Sequence, residues 1–171
     1  MERISPSGLI IRDFRPDDRD IYQEGFRRLS NQSLRARFNS SVKQLTPSQL
    51  QYLTDIDCTN HYACGALVII DRHTHGIGLA RFVRLSENSD IAEFALTVID
   101  EYQRQGVGKR LFAYLIEKAR ERGIGILRGY IQYDNDPMLS FMHRFEYRMK
   151  REGGNLLCTD IAISPNPYKA L

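Results

Sequence analysis

The sequence has few cysteines, and none of them forms a paired motif. The number of cysteines is odd, since there are three of them (Cys58, Cys64 and Cys158), and no Cys-x-x-Cys pair occurs. This pattern argues against a disulfide framework and against a structural zinc site. At 171 residues the chain is long enough to bury a core without either support. We therefore expect a reducing compartment, the cytoplasm.

The sequence also lacks a long apolar run. No stretch approaches the ~18 consecutive apolar residues that indicate a membrane-spanning helix. The amino terminus reads MERISPSG and has no apolar segment of the kind found in secretory signal peptides. These absences predict a protein without a membrane partner.

Charge of one sign is not concentrated in this chain. The net charge is +3, and the pI is about 8.8. A dedicated nucleic-acid-binding domain has lysine and arginine clustered on one surface, so we expect no nucleic-acid partner. Hydrophobic residues make up 42% and charged residues 26%, as in ordinary globular proteins. Length and composition together predict one domain over residues 1–171.

Hydrophobic spacing predicts strands and helices in alternation. The predicted strands are residues 9–14, 62–70, 76–85, 91–99, 127–132, 147–152 and 156–163. The predicted helices begin near residues 16, 46, 107 and 136, and an arginine-rich segment at 34–38 follows a polar break at 30–33. Short breaks suit antiparallel neighbours, whereas residues 91–132 read as strand, crossover helix and parallel strand. The pattern therefore predicts an α/β fold.

The segment between strand 91–99 and the helix at 107 carries the clearest signal. It reads Glu-Tyr-Gln-Arg-Gln-Gly-Val-Gly-Lys over residues 101–109. Glycines 106 and 108 let the backbone approach an anion, and the first N–H groups of a helix favour a phosphate. A P-loop would need glycine at Gln103, and a dinucleotide loop would need glycine or alanine at Leu111. A tight strand-to-helix turn without a ligand is the alternative.

Several segments resemble the GNAT superfamily of acetyltransferases. The loop Gln103-x-x-Gly106-x-Gly108 and the predicted order of elements carry this resemblance over nearly the whole chain. Residues 29–38, 78–82 and 92–98 are similar to the catalytic domain of bacterial Pat-type protein-lysine acetyltransferases. The resemblance implies an α/β fold with a mixed, mostly antiparallel central sheet of about seven strands flanked by about four helices.

The resemblance also implies a reaction and a binding mode. Acetyl-CoA would donate its acetyl group directly to an amine, without a covalent enzyme intermediate. The pyrophosphate would lie on the glycine loop, and the pantetheine arm would pair with the main chain around residues 96–98. A main-chain N–H there would polarise the thioester carbonyl. The cofactor-binding residues predicted in this way are Leu96, Val98, Gln103, Arg104, Gln105, Gly106, Val107, Gly108, Lys109 and Asn135. For Asn135 an ordinary helix cap is the alternative.

Glu93 is the candidate general base. A lysine amine has a pKa of about 10.4, so only ~0.1% is neutral at pH 7.4 and a base is needed. Glu93 interrupts an otherwise apolar strand that we expect inside the sheet, where desolvation would raise its pKa. The resemblance places a catalytic glutamate in this Ala-Glu segment. The alternative is a structural ion pair with an arginine such as Arg81.

The general acid and the acceptor stay open at this point. Many GNAT enzymes carry a tyrosine on the last helix as the acid, but Met142 occupies that position and Glu146 replaces the usual glycine. The resemblance favours a protein lysine as acceptor, with a small-molecule amine as the alternative. A non-catalytic acyl-CoA-binding sensor is a further alternative. A monomer or a homodimer is expected.

Two other patterns have weaker interpretations. His73-Thr-His75 could bind a metal ion, but it falls in a predicted turn without further ligands nearby, so we predict no metal site. Arg35 and Arg37 either lie near the cofactor or protein substrate, or line a solvated helix face.

Overall fold

One seven-stranded sheet organises the chain. The structure is a computed structural model that describes residues 8–38, 46, 48, 51, 54–87 and 89–163. The strands are β1 (Ile10–Asp13), β2 (His61–Ile70), β3 (His73–Arg84), β4 (Ile91–Val98), β5 (Ile126–Gln132), β6 (Tyr147–Gly153) and β7 (Leu156–Ala162). Their order is β1-β2-β3-β4-β5-β7-β6, with β4 and β5 parallel and every other neighbouring pair antiparallel.

Four α-helices accompany the sheet within the described residues. They are α1 (Arg19–Arg27), α2 (Asn31–Phe38), α3 (Val107–Glu121) and α4 (Asp136–Met142). The predicted α/β fold is therefore confirmed. Most of the helix expected from residue 46 falls outside the described residues, and the described residues 55–57 are not helical. None of the helices in the described part of the chain is long and apolar enough to span a bilayer.

The two faces of the sheet are covered by different helices. Helix α3 lies on the face that carries Phe94 and Leu96, and its apolar side is buried there. The buried residues of α3 are Val107, Leu111, Phe112, Leu115, Ile116 and Ala119. Helices α1 and α2 lie on the opposite face, beside Thr97. Gly123, with φ of +70°, ends the α3 segment as predicted.

The β2–β3 turn is shorter than the sequence suggested. Asp71 and Arg72 both have positive φ, 49° and 66°, which is the geometry of a two-residue hairpin turn. Strand β3 therefore begins at His73, and the prediction that His73 and His75 lie in a turn is wrong. His73 Nδ1 lies 2.8 Å from the Asp71 carbonyl oxygen, and His75 Nδ1 lies 3.2 Å from Glu24 Oε1.

Strands β4 and β5 separate soon after they meet. Their parallel ladder contains three residue pairs and ends with Glu93 opposite Arg128. Both strands continue, β4 to Val98 and β5 to Gln132. No ladder pair joins residues 94–98 to residues 129–132, all of which the structure describes. A groove therefore opens in the middle of the sheet.

The ring of Phe94 fills the base of this divergence. A Cβ placed on Gly129 would lie 2.6 Å from Phe94 Cε1, so the ring occupies the space where a β5 side chain would stand. The ring also packs on Phe112 of α3, with centroids 4.9 Å apart. Glycine at 129 thus lets an aromatic wedge hold the two strands apart.

Candidate active site

A groove of about 960 Å³ runs along the divergence of β4 and β5. Strand residues 93–98 and 129–131, helix α2, the loop after β4 and helix α4 line it. Nine predicted site residues are among its lining: Glu93, Leu96, Val98, Gln103, Arg104, Gly106, Gly108, Lys109 and Asn135. Val107 is instead buried in the core beneath the loop, and the Gln105 side-chain amide donates to the Glu101 carbonyl at 2.9 Å.

The loop after β4 is shaped by two left-handed residues. Arg104 has φ of 58° and Gly106 has φ of 82°, and Gly106 is the N-cap of α3. The first helical hydrogen bond runs from Arg110 N to the Gly106 carbonyl, at 3.1 Å. The N–H groups of residues 107–109 precede that bond, and such groups have no partner within their helix. The start of α3 is therefore suited to an anion.

Gly108 brings the start of α3 against the free edge of β4. A Cβ on Gly108 would lie 3.7 Å from Val98 Cγ2 and 3.8 Å from Leu96 Cδ2. The helix start and the strand edge are thus continuous parts of one surface. The side chains of Arg104 and Lys109 are exposed where they line this part of the groove.

Arg144 is a further basic residue that sequence reasoning missed. It follows α4, is exposed, and lines the groove. Its position two residues beyond Met142 was visible in the sequence, but only the packing of α4 shows that it faces the groove. Its guanidinium can pair with a phosphate bound there.

Glu93 lies in the middle strand of the sheet as expected, paired with Val83 of β3 and Arg128 of β5, but it is not buried. Its side chain is exposed and lines the groove at the last ladder pair before β5 diverges from β4. The expectation that burial desolvates Glu93 is therefore wrong. Glu93 also forms no ion pair with another described residue, so the alternative pairing with Arg81 is not supported. Its ladder neighbour Arg128 is held by Asp160, with an Nε–Oδ1 distance of 2.7 Å.

Tyr130 is a groove residue that the sequence analysis did not select. It lies two positions beyond Arg128 on β5, so its side chain shares the sheet face of Glu93. Burial first, and then the neighbouring Cys158 and Glu152, raise the pKa of Tyr130. The phenol therefore keeps its proton near neutral pH. Strand alternation could have identified it once the β4–β5 register was known.

The last helix, α4, does not offer a general acid at the position where many GNAT enzymes carry a tyrosine. Met142 is completely buried in the core, so this position faces away from the groove. Asn135 is the N-cap of α4, and its Oδ1 accepts from Met138 N at 3.2 Å. The helix-cap interpretation of Asn135 is confirmed. Its predicted contact with the cofactor stays a prediction.

Helix α2 forms the opposite wall of the groove. Arg37 lines the groove, with its guanidinium 4.8 Å from the centroid of the Phe38 ring. Arg35 points elsewhere and lies 3.5 Å from the Asp134 carboxylate in the loop after β5. The two arginines therefore differ: Arg37 belongs to the groove, and Arg35 to an exposed ion pair beside it.

The three cysteines are free thiols outside this groove. Cys58 is exposed, whereas Cys64 and Cys158 are buried. Burial raises the pKa of Cys64 and of Cys158, so both thiols resist ionisation. None of the three is among the described residues that line the groove. Within the described residues, no group of three or more histidine, cysteine, aspartate or glutamate side chains could hold a metal ion.

Comparison with known proteins assigns the chain to a family. The profile of the Acetyltransferase (GNAT) family matches residues 23–147, which include α2, the groove, the glycine loop and α4. The chain belongs to the GNAT family. The predicted membership of the GNAT superfamily is thereby confirmed.

Relatives of this GNAT chain include Pat-type proteins. It is 32% identical over 161 residues to Acetyltransferase Pat of Mycolicibacterium smegmatis, covering 91% of the chain but 46% of that protein. The chain thus spans about half the length of this curated relative. The GNAT domain of S. lividans PAT has the same fold, with a TM-score of 0.80, 24% identity and 89% of each chain covered. The predicted resemblance to Pat-type domains is confirmed.

A third similar protein was solved with a ligand. The PaiA N-acetyltransferase of Thermoplasma acidophilum, in complex with coenzyme A, matches with a TM-score of 0.66 and 17% identity. The match covers 89% of this chain and 97% of that one. At this identity the likeness concerns the fold alone.

Proposed function

We propose that this GNAT domain transfers the acetyl group of acetyl-CoA to an amine. The observation that carries the proposal is the divergence of β4 and β5, which opens a groove leading to the start of α3. A pantetheine arm is extended and carries amide groups, so it can pair with the free edge of residues 94–98 like an added strand. Its pyrophosphate then meets the N–H groups of residues 107–109.

The residues along this path fit acetyl-CoA in chemistry as well as in shape. Arg104, Lys109 and Arg144 can neutralise phosphate charge, and Gly106 and Gly108 leave the backbone accessible. A main-chain N–H on the free edge of β4 can polarise the thioester carbonyl. When bound, acetyl-CoA supplies the activated acetyl group, and the chain supplies position, charge and a base.

Glu93 is the base in this proposal. Its exposed carboxylate stands where β4 loses its partner, so an incoming amine can reach both the groove and this side chain. Glu93 accepts a proton from the amine, directly or through a water molecule. The amine nitrogen then bonds to the acetyl carbon, the carbon–sulfur bond breaks, and coenzyme A leaves as a thiol. Tyr130, protonated and in the same groove, is the candidate donor to the sulfur.

We propose a protein lysine as the acceptor. From Glu93, the strand registers place Arg128, Asp160 and Arg148 in one row across β5, β7 and β6. Arg128 and Asp160 keep 22% and 26% of their side-chain surface exposed, and Arg148 is exposed, so the row forms an open polar strip beside the base. Such a strip suits the surface of a macromolecule better than a small amine that needs enclosure.

The test uses the purified chain, acetyl-CoA and two acceptor panels. One panel contains candidate metabolic enzymes, and the other contains polyamines and aminoglycosides. We expect intact-mass analysis to show acetyl groups added to lysines of a protein acceptor, with thiol release at a matching rate. Transfer to a small amine alone would contradict the protein acceptor. Binding of acetyl-CoA without transfer to either panel would instead identify an acyl-CoA sensor.

A further inference from the structure

Asp100 accepts three hydrogen bonds from the start of helix α2. Ser30 N donates to Asp100 Oδ2 at 3.0 Å, and Ser30 Oγ donates to Oδ1 at 2.6 Å. Ser33 Oγ donates to the same Oδ1 at 2.9 Å. Burial alone would raise the pKa of Asp100, but these bonds outweigh it and hold the pKa below its ordinary value. The carboxylate after β4 is thus a charged anchor for α2.

Gln103 connects this anchor to the two parts of the groove that would bind coenzyme A. Its Nε2 donates to Ser33 Oγ at 3.3 Å and to the Val98 carbonyl at 3.0 Å. Val98 ends the free edge of β4, and Gln103 begins the glycine loop. Strand edge, loop and α2 are therefore joined by one set of hydrogen bonds.

Capping of helix α2 does not require the hydrogen bonds to Asp100. Ser30 Oγ already accepts from Ser33 N at 3.2 Å, which is the bond that an N-cap residue makes. Asp100 comes from a segment about 70 residues away and adds a charge, and hydrogen bonds to charged groups are the strong ones. The neighbouring Glu101 makes no such link to α2, because its carboxylate pairs with Arg28, 3.1 Å away, just after α1.

We infer that Asp100, Ser33 and Gln103 are positioning residues that couple coenzyme A on the loop to the placement of α2 on the acceptor side. The inference rests on the proposed function. A ligand that fixes the loop also fixes Gln103, and through Ser33 it restrains a helix whose residues 32, 33, 36 and 37 line the groove. The coupling is reciprocal, so an acceptor that orders α2 strengthens binding of the cofactor.

Hydrogen–deuterium exchange of α2 measures this coupling without a known acceptor. The probe is coenzyme A at saturating concentration, with exchange followed in residues 31–38 and affinity measured by calorimetry. In the parent protein we expect bound coenzyme A to slow exchange in α2 by about tenfold, the scale of one hydrogen bond to a charged group. In Ser33→Ala and Asp100→Asn, coenzyme A should still bind, but most of that slowing should be lost.

Two further variants separate positioning from general stability. Ser33→Thr keeps a hydroxyl and should restore the slowing that Ser33→Ala loses. Glu101→Gln alters the adjacent carboxylate but not the link, so α2 should respond as in the parent. Equal slowing of α2 in the parent, Ser33→Ala and Asp100→Asn would overturn the coupling while leaving the cofactor site intact. Failure of the parent to bind coenzyme A would overturn the proposed function and the coupling together.

Discussion

Glu93 marks the residue at which β4 passes from a paired strand to an open edge. A carboxylate in an apolar run of the sequence predicts a buried group. The sequence alone does not show that the partner strand turns away after Arg128, or that the Glu93 side chain is exposed. Access to the groove, rather than burial, is therefore the property that suits Glu93 to act as a base.

Replacing Glu93 with glutamine tests this role. Glu93→Gln should lower kcat by about 10²-fold, the range for loss of a general base. The defect should shrink as pH rises, because solvent then deprotonates the amine without help. Turnover should be measured with saturating acetyl-CoA across neutral and alkaline pH. Thermal melting should be unchanged, because exposed positions contribute little to stability.

Asp136 provides a matched control for Glu93. It is also an exposed carboxylate lining the groove, but it lies at the start of α4, away from the end of the β4–β5 ladder. Asp136→Asn should keep kcat within about threefold of the parent, a change smaller than removal of a catalytic group causes. If Glu93→Gln is as fast as the parent at neutral pH, Glu93 is not the base.

Other residues of the candidate site also fall into two groups: those that the sequence identifies, and those that only their contacts in the structure identify. Gly106 and Gly108 predict a phosphate-binding loop from sequence alone, because glycine itself is the residue type that such a loop needs. Tyr130 and Asp100 could not be selected from sequence, because tyrosine and aspartate are common and their roles depend on neighbours. The proposed role of Tyr130 depends on the sheet face that it shares with Glu93. The proposed role of Asp100 depends on its hydrogen bonds to Ser30 and Ser33, which lie 70 and 67 residues earlier in the chain.

At the level of elements, the start of α3 was the most predictable part of the site. Its apolar spacing, the preceding glycines and the glycine that ends it are all local features. The divergence of β4 and β5 was not predictable from local features. It depends on Phe94 fitting over Gly129 of another strand, and that contact exists only after the strands are placed together.

The start of α3 also yields a prediction about side-chain size. A Cβ at Gly108 would meet Leu96 and Val98 at ordinary contact distance, so Gly108→Ala should fold and bind acetyl-CoA nearly as well as the parent. The branched side chain of Gly108→Val would extend further, into the path proposed for the pantetheine arm. We expect calorimetry to show affinity weakened by tenfold or more, about 1.4 kcal/mol. Equal affinities for folded Gly108→Val and Gly108→Ala would place the cofactor elsewhere.

For the whole molecule, ionisable groups set how stability depends on pH. Among the described residues, burial would raise the pKa of five carboxyl groups, but their hydrogen bonds outweigh burial and hold the pKa below its ordinary value: Asp13, Asp18, Asp57, Asp100 and Asp160. Their unfolded-state pKa is therefore higher than their folded-state pKa. The unfolded chain binds more protons as pH falls, so this part of the stability is lost from about pH 5 downward.

His61 adds an earlier loss of stability on acidification. Burial, and then the positive charge of Arg81, lower its pKa below 6.5, outweighing the opposing influence of Asp55 and Asp57. In the unfolded chain the imidazole takes up a proton near its ordinary pKa, whereas the folded protein resists that proton. The free energy of unfolding therefore begins to decrease as pH falls through 6.5, before the carboxyl groups take up protons.

The two stages can be separated with a single substitution. The melting temperature of the parent should fall between about pH 7 and pH 5 and then fall more steeply at lower pH. His61→Gln removes the titrating group, so the first decline should disappear while the second persists, even if the variant melts lower overall. His73→Gln, at an exposed histidine, should follow the parent curve. If His61→Gln and the parent lose stability in parallel between about pH 7 and pH 5, the earlier stage belongs to other groups.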